Sequence, residues 1–361
     1  MDTLTSIIEN CTECQLCVQE CPFLLKHNKT PKKLAEELAE NVKLSKNYVK
    51  ECFLCGLCRA VCPLDLDFPQ VVSQARQKLA RELAANSCYK LSLPDESLFF
   101  PTAYRTHKNL RYDSLKREFF KYAFFPGCAM SCYSPEATVK VYEKLVERFN
   151  DVSLVDQCCG KPLTDVGLSD RASKWLTRLK LYLKEHGCTD IVTACPMCYY
   201  YLQSNFQGKF HIVTIYETLR DFFRESIKTV DLKVAVHDSC PDRFKGIFAK
   251  QVRELFRDNQ LVEMTHNKER SVCCGAGGLV SCADPNLTVA SSLIRVGEFL
   301  ESGADLMIVY CYTCAQVFWA SQPMVQTKHV IDLALKTKDA SENIKNQEVS
   351  KFAEGLLIGR I

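Results

Sequence analysis

The residues of this 361-residue chain best suited to chemistry are its 22 cysteines. Eight fall in two runs near the start, Cys11-x2-Cys14-x2-Cys17-x3-Cys21-Pro22 and Cys52-x2-Cys55-x2-Cys58-x3-Cys62-Pro63. Three thiolates at two-residue gaps let one loop wrap three irons of a compact cluster. The fourth, followed by proline, leaves the loop and ligates the neighbouring cluster. That logic groups Cys11, Cys14, Cys17 and Cys62 around one [4Fe-4S] cubane, and Cys52, Cys55, Cys58 and Cys21 around a second. The opposing interpretation is zinc in two four-thiolate knots, but such sites pair two separated short-gapped hairpins.

Ten further cysteines form two matching sets. Cys128, Cys158, Cys159, Cys195 and Cys198 recur as Cys240, Cys273, Cys274, Cys311 and Cys314, with offsets of 112, 115 and 116 residues at the first, second and fourth members. Near-constant offsets indicate a duplicated unit. Adjacent thiolates reach one iron poorly, so each Cys-Cys pair suits two neighbouring metals, and Gly160 and Gly275 let the backbone turn tightly behind it. Zinc, which also takes thiolates, stays open as the occupant of one set. Cys88, Cys188 and Cys282 read as buried small residues, and Cys132 as a spare thiol. His237, at the end of a strand, is either a proton donor to a leaving thiolate or a satisfied structural residue, the second being the default. Lys161, Arg243, Lys245 and the Lys-rich stretch at 26–50 read as solvated charge rather than as anion or docking sites.

The elements that must position these thiols differ between the two parts of the chain. Residues 1–84 are expected to be mainly helical. Thr30 and Pro31 open one helix, with Leu34 and Leu38 on one face, and a second follows Pro69. Residues 85–121 read as a connector over the surface. From 122 to 335, apolar strands alternate with helices twice over, predicting a parallel sheet in each half with most cysteines just beyond the carboxyl ends of strands. The expected class is α+β / α/β. It comprises a helical two-cluster ferredoxin domain (1–84), the connector (85–121), first and second α/β repeats (122–230 and 231–335) and a C-terminal tail (336–361).

Two CCG cysteine sets behind a two-cluster ferredoxin region resemble the heterodisulfide reductase family, in the form where ferredoxin-like and catalytic subunits are fused. The order is similar in iron–sulfur subunits of anaerobic glycerol-3-phosphate dehydrogenase and glycolate oxidase. The resemblance covers about residues 1–335. It implies one or two further, non-cubane [4Fe-4S] clusters held by the five-cysteine sets. It also implies electron relay through the cubanes to the CCG sets for thiol/disulfide chemistry, with Cys240, Cys273, Cys274, Cys311 and Cys314 as the catalytic set. The alternative it leaves is the electron-transfer subunit of a flavin-dependent glycerol-3-phosphate, glycolate or lactate dehydrogenase, passing electrons towards quinone. The second motif departs from the family pattern. It reads His237-Asp238-Ser239-Cys240-Pro241, where relatives often carry proline before the cysteine and histidine after it, so no role is carried over from that following histidine.

Composition narrows the partners. A net charge of +3 is too small to argue for nucleic acid or an anionic membrane surface, and neither is expected as a direct partner. No run of about 18 apolar residues predicts a membrane span, and no signal sequence is evident. Clustered thiols at metal spacing predict a reducing, cytoplasmic setting, with the inner face of the membrane reached only through a partner. No Gly-x-Gly-x-x-Gly follows a strand, so a flavin is expected on another subunit. The expected partners are thus a flavoprotein or other redox subunit in a hetero-oligomer, and a small-molecule disulfide or electron acceptor.

Overall fold

A computed structural model of the chain describes residues 2–42, 46–228, 231–345 and 347–357. Lys43 of the Lys-rich stretch and the last four residues of the tail therefore lie outside the described residues. The N-terminal part is helical, with Thr3–Asn10, Pro31–Glu40 and Phe68–Ala85 as its longer elements. Thr30 caps the second of these by accepting the Lys33 N–H, with Pro31 in the first turn. Asp67 caps the third by accepting from Gln70 N at 3.1 Å. Leu34 and Leu38 face Val71, Val72 and Leu79 in one buried cluster.

The rest of the chain builds two parallel four-stranded sheets. In the first, β1 (Tyr122–Phe125), β2 (Val152–Leu154), β3 (Asp190–Thr193) and β4 (His211–Thr214) lie in the order β2-β1-β3-β4. In the second, β5 (Val234–His237), β6 (Leu261–Val262), β7 (Leu306–Val309) and β8 (Thr327–His329) lie in the order β6-β5-β7-β8. The duplication extends to register. The last row of the first sheet is Phe125–Thr193–Thr214, and that of the second is His237–Val309–His329. Helices Pro135–Phe149, Ser169–Glu185, Ile247–Leu255 and Pro285–Glu301 connect the strands. Central β1, β3, β5 and β7 are almost wholly buried, as covered parallel strands must be, and so read as continuous apolar runs.

Two expectations need correction. Residues 85–121 are not a surface connector. They bury Tyr89, Leu91, Leu93, Phe99, Tyr104, Tyr112 and Phe120. The tail packs on them, with Phe352 against the rings of Phe100, Tyr104 and His107. Nor are Cys88 and Cys282 buried packing residues. Both are half-exposed and joined as a disulfide across 194 residues, tying helix Ser87–Leu91 to the segment behind the second cysteine pair. Cys188, by contrast, is buried and donates to Asp190 O at 3.4 Å.

The helical part is joined to both sheets by one buried cation. Arg76, on the inner face of Phe68–Ala85, is 1% exposed and has no carboxylate partner in its hydrogen bonds. It donates to the carbonyls of Val49 (2.8 Å), Lys50 (3.1 Å) and Cys52 (2.8 Å) in the helical part, Asp165 (2.8 Å) in the first repeat and Gly278 (2.7 Å) in the second. Five carbonyls lose their donor if it is removed, and buried unsatisfied acceptors are costly. Arg76→Leu is expected to cost about 3 kcal/mol or more in chemical denaturation, with Arg76→Lys losing less; an unchanged midpoint for Arg76→Leu would contradict this role. Non-reducing peptide mapping after alkylation is expected to recover Cys88 and Cys282 in one linked peptide. Separate alkylation of the two would count against the bond.

Candidate metal centres

The two N-terminal loops share an unusual backbone. Glu13 and Gln15 in the first, and Leu54 and Gly56 in the second, occupy equivalent positions with positive φ (55°, 63°, 52° and 77°). Three of the four are not glycine, and the left-handed conformation costs such residues about 1–2 kcal/mol each. The strain curls each loop so that its thiols converge. In the first, Cys17 lies among Cys11, Cys14 and Cys62, and its pKa is pushed up to about 12 by burial and then by those neighbouring thiols. A cavity between them is lined by Cys11, Cys14, Cys17 and Cys62, and by the exposed Leu16 and Leu64. In the second, burial and the nearby Cys21, Cys52 and Cys55 raise Cys58. Cys62 thus sits with the first run and Cys21 with the second.

The five-cysteine sets are built alike. Each pair follows a loop and precedes a glycine with positive φ, Gly160 (91°) and Gly275 (103°), whose backbone N–H donates to the first cysteine of the pair at 3.4 Å in both halves. A Cβ would approach Trp175 Cδ1 to 2.6 Å at the first and Thr288 O to 2.4 Å at the second, so both turns require glycine. Within each pair the two thiols touch one another and then reach different outer partners. Cys158 meets Cys128 while Cys159 meets Cys198, and Cys273 meets Cys240 while Cys274 meets Cys314. Cys195 and Cys311 each end a strand–helix turn and meet one another across the two halves.

These contacts run on into the helical part. Cys55 meets Cys273. The approach depends on the loop after the second cysteine pair, where added Cβ atoms at Gly277 and Gly278 would lie 2.3 Å from Phe53 O and 2.4 Å from Cys52 O. Arg243 holds the same junction. It is buried and donates to Cys55 O (2.9 Å), Ser271 O (2.7 Å) and Glu269 O. Reading it as solvated charge is therefore corrected. Lys26 likewise pairs with Glu51 and with Asp284 of the second repeat, both at 2.6 Å. Lys161 pairs with Asp165, and Lys245 is exposed. Cys132 donates to Pro101 O at 3.4 Å.

Clusters of thiols as the converging ligand groups suit soft, sulfide-bearing iron or zinc, not hard oxygen-loving cations. The strained loops, the thiol-lined cavity and the thiols held protonated by burial and crowding all fit a group that brings positive charge among them. Sequence reasoning did not find the surroundings of the second set. His237 is 1% exposed, and one of its ring nitrogens lies within 4.8 Å of the Sγ atoms of Cys274 and Cys314. Its pKa is pulled down to about 3 by burial and the Arg295 charge. His329, fully buried, is also pulled down to about 3, again chiefly by burial.

Comparison with known proteins matches the order of the cysteine-rich segments. The family described as "4Fe-4S dicluster domain" matches residues 10–67, and that described as "Cysteine-rich domain" (CCG) matches 122–203 and 234–318. A polypeptide of the dihydromethanophenazine:CoB–CoM heterodisulfide reductase of Methanosarcina acetivorans is 23% identical over 356 residues, covering 85% of this chain and 87% of that one. An uncharacterized iron–sulfur protein of Methanococcus maripaludis is 24% identical over 85% of this chain, which spans 66% of that relative's length. A polypeptide of the anaerobic glycerol-3-phosphate dehydrogenase of Escherichia coli is 26% identical over 53% of each chain. Among the described residues no helix is long and apolar enough to cross a membrane. The chain belongs to the heterodisulfide reductase-like CCG-domain iron–sulfur proteins.

Proposed function

We propose that this chain is an electron-transfer subunit of heterodisulfide reductase type, in which two [4Fe-4S] cubanes serve clusters at the CCG sets for thiol/disulfide redox chemistry. Cys11, Cys14, Cys17 and Cys62 hold one cubane, and Cys21, Cys52, Cys55 and Cys58 the other. The sets of Cys128, Cys158, Cys159, Cys195, Cys198 and of Cys240, Cys273, Cys274, Cys311, Cys314 hold one further cluster each. When bound, such clusters would supply electrons one at a time, two of which in succession, with two protons, reduce a disulfide to two thiols.

The carrying observation is continuity of sulfur. Cys17 interacts with Cys58 across the first two sets. Cys55 meets Cys273, and Cys311 meets Cys195. The order is therefore first loop, second loop, second CCG set, first CCG set, which is not the order along the chain. Cys14 is exposed beside exposed Leu16 and Leu64, so a redox partner docks there and meets the outer end of the series. The second CCG set lies between the cubanes and the first CCG set, and a disulfide substrate is reduced at or beyond it. The dehydrogenase reading, with a flavoprotein partner and quinone as destination, is favoured only by the relative from Escherichia coli.

Anaerobically prepared protein is expected to contain about sixteen irons with equal sulfide; about eight would leave the CCG sets to another metal. Cys62→Ala is expected to leave the same residual EPR spectrum as Cys11→Ala, and Cys21→Ala the same as Cys52→Ala. Pairing of Cys62→Ala with Cys52→Ala instead would overturn the crossed assignment.

A further inference from the structure

The two CCG halves share their fold, register and cysteines, yet they differ in the last row of their sheets. Where the first half has Phe125 and Thr214, the second has His237 and His329. Register partners in a sheet point to the same face, so both imidazoles flank Val309 on one side of the sheet. Each ring is fixed. His237 lies edge-on to Phe318 at 5.0 Å, and His329 stacks on Tyr312 at 3.6 Å.

The protonation pattern of each ring follows from its neighbours. Arg295 Nε donates to His237 Nδ1 at 3.2 Å, and a guanidinium has no lone pair to offer in return. The Ile331 backbone N–H donates to His329 Nδ1 at 3.2 Å. Both δ nitrogens are therefore acceptors, and both rings carry their proton on Nε2. Neither Nε2 has a hydrogen-bond partner, though both are buried. A buried N–H without an acceptor is costly. His237 has a ring nitrogen within 4.8 Å of the Cys274 and Cys314 sulfurs, whereas His329 has the Tyr310 carbonyl within reach. A zinc ion on His237, Cys274 and Cys314 would need a lone pair at Nε2 and a proton on Nδ1, facing the Arg295 N–H.

Resting on the cluster reading above, we infer that His237 is a positioning residue whose Nε2–H donates a hydrogen bond to sulfur at the second CCG centre, setting its potential above that of the first. Reduction adds negative charge, so a fixed N–H donor favours the reduced state, and hydrogen bonds to sulfur are a recognised control of cluster potential. The first half has no equivalent donor in these positions. Phe125 has none, and the Thr214 hydroxyl donates to Gln251 at 2.6 Å. Ser239 Oγ, 3.8 Å from Cys314 Sγ, adds to the polar surroundings of the second set only, since Gly127 stands in its place in the first. The electron reaching the second centre from the cubanes is thus held at that centre rather than shared evenly with the first.

The test is an EPR-monitored redox titration of the full chain, after iron, sulfide and zinc analysis of the wild type. His237→Phe, which installs the first-half residue, is expected to shift one CCG signal to more negative potential and leave the cubane signals unmoved. His237→Gln, which restores an N–H near the Nε2 position, is expected to return it towards wild type. His237→Leu, which equally lacks a donor, is expected to shift the same signal in the same direction and carries the test alone if the Phe variant does not assemble. Unmoved potentials, or equal shifts in the Phe and Gln variants, would overturn the inference while leaving the iron count intact. Zinc in place of iron at the second set would instead remove the cluster reading itself.

Discussion

Backbone packed against backbone, locked by a buried guanidinium, is the constraint on which the thiol series depends. The loop at Gly277–Gly278 lies so close to the carbonyls of Cys52 and Phe53 that no side chain fits between them. Arg76 draws the Cys52 and Gly278 carbonyls towards the same cation. Without that closure Cys273 would not reach Cys55, and the helical part would be a separate module on a tether. Its apolar cluster instead includes Leu163, Val166 and Ala172 from the first repeat, and Val280 and Leu287 from the second. Electron transfer falls steeply with distance, so rigidity at this junction is a functional requirement.

The duplicated fold supplies two equivalent places for thiols at the carboxyl edges of parallel sheets, where open α/β architectures gather their ligands. What the halves do with them differs. The second half abuts the helical part, carries the two buried imidazoles and is pinned by Arg243. The first half also packs on the helical part, through Asp165 and Gly167 against Arg76, but among the described residues its thiols approach the series at Cys195 and Cys311. Asymmetry of this sort, built on a symmetric scaffold, lets one position accept electrons while its neighbour differs in potential and access.

Much of this was legible in the sequence because cysteine spacing is local. The four-cysteine runs, the doubled Cys-Cys-Gly and the strong central strands all follow from short local patterns. Thr30 and Pro31 announced their helix for the same reason. The edge strands β2, β6 and β8 escaped notice because two or three residues show no periodicity. Residues 85–121 looked like a connector because their buried aromatics follow no helical or strand repeat. The order of the centres was hidden, since Cys55–Cys273 and Cys195–Cys311 are contacts across long stretches of chain. His237 was visible but not its Nε2 proton, which depends on Arg295, 58 residues away. His329 had no local cue at all.

The order of the four centres is the claim most open to direct measurement, through dipolar coupling between paramagnetic clusters in partly reduced protein. The account predicts strong coupling of the second CCG centre both to the cubane of Cys52, Cys55 and Cys58 and to the first CCG centre, with none resolved between the first CCG centre and either cubane. Strong coupling of the first CCG centre to a cubane, with the second isolated from both, would contradict it.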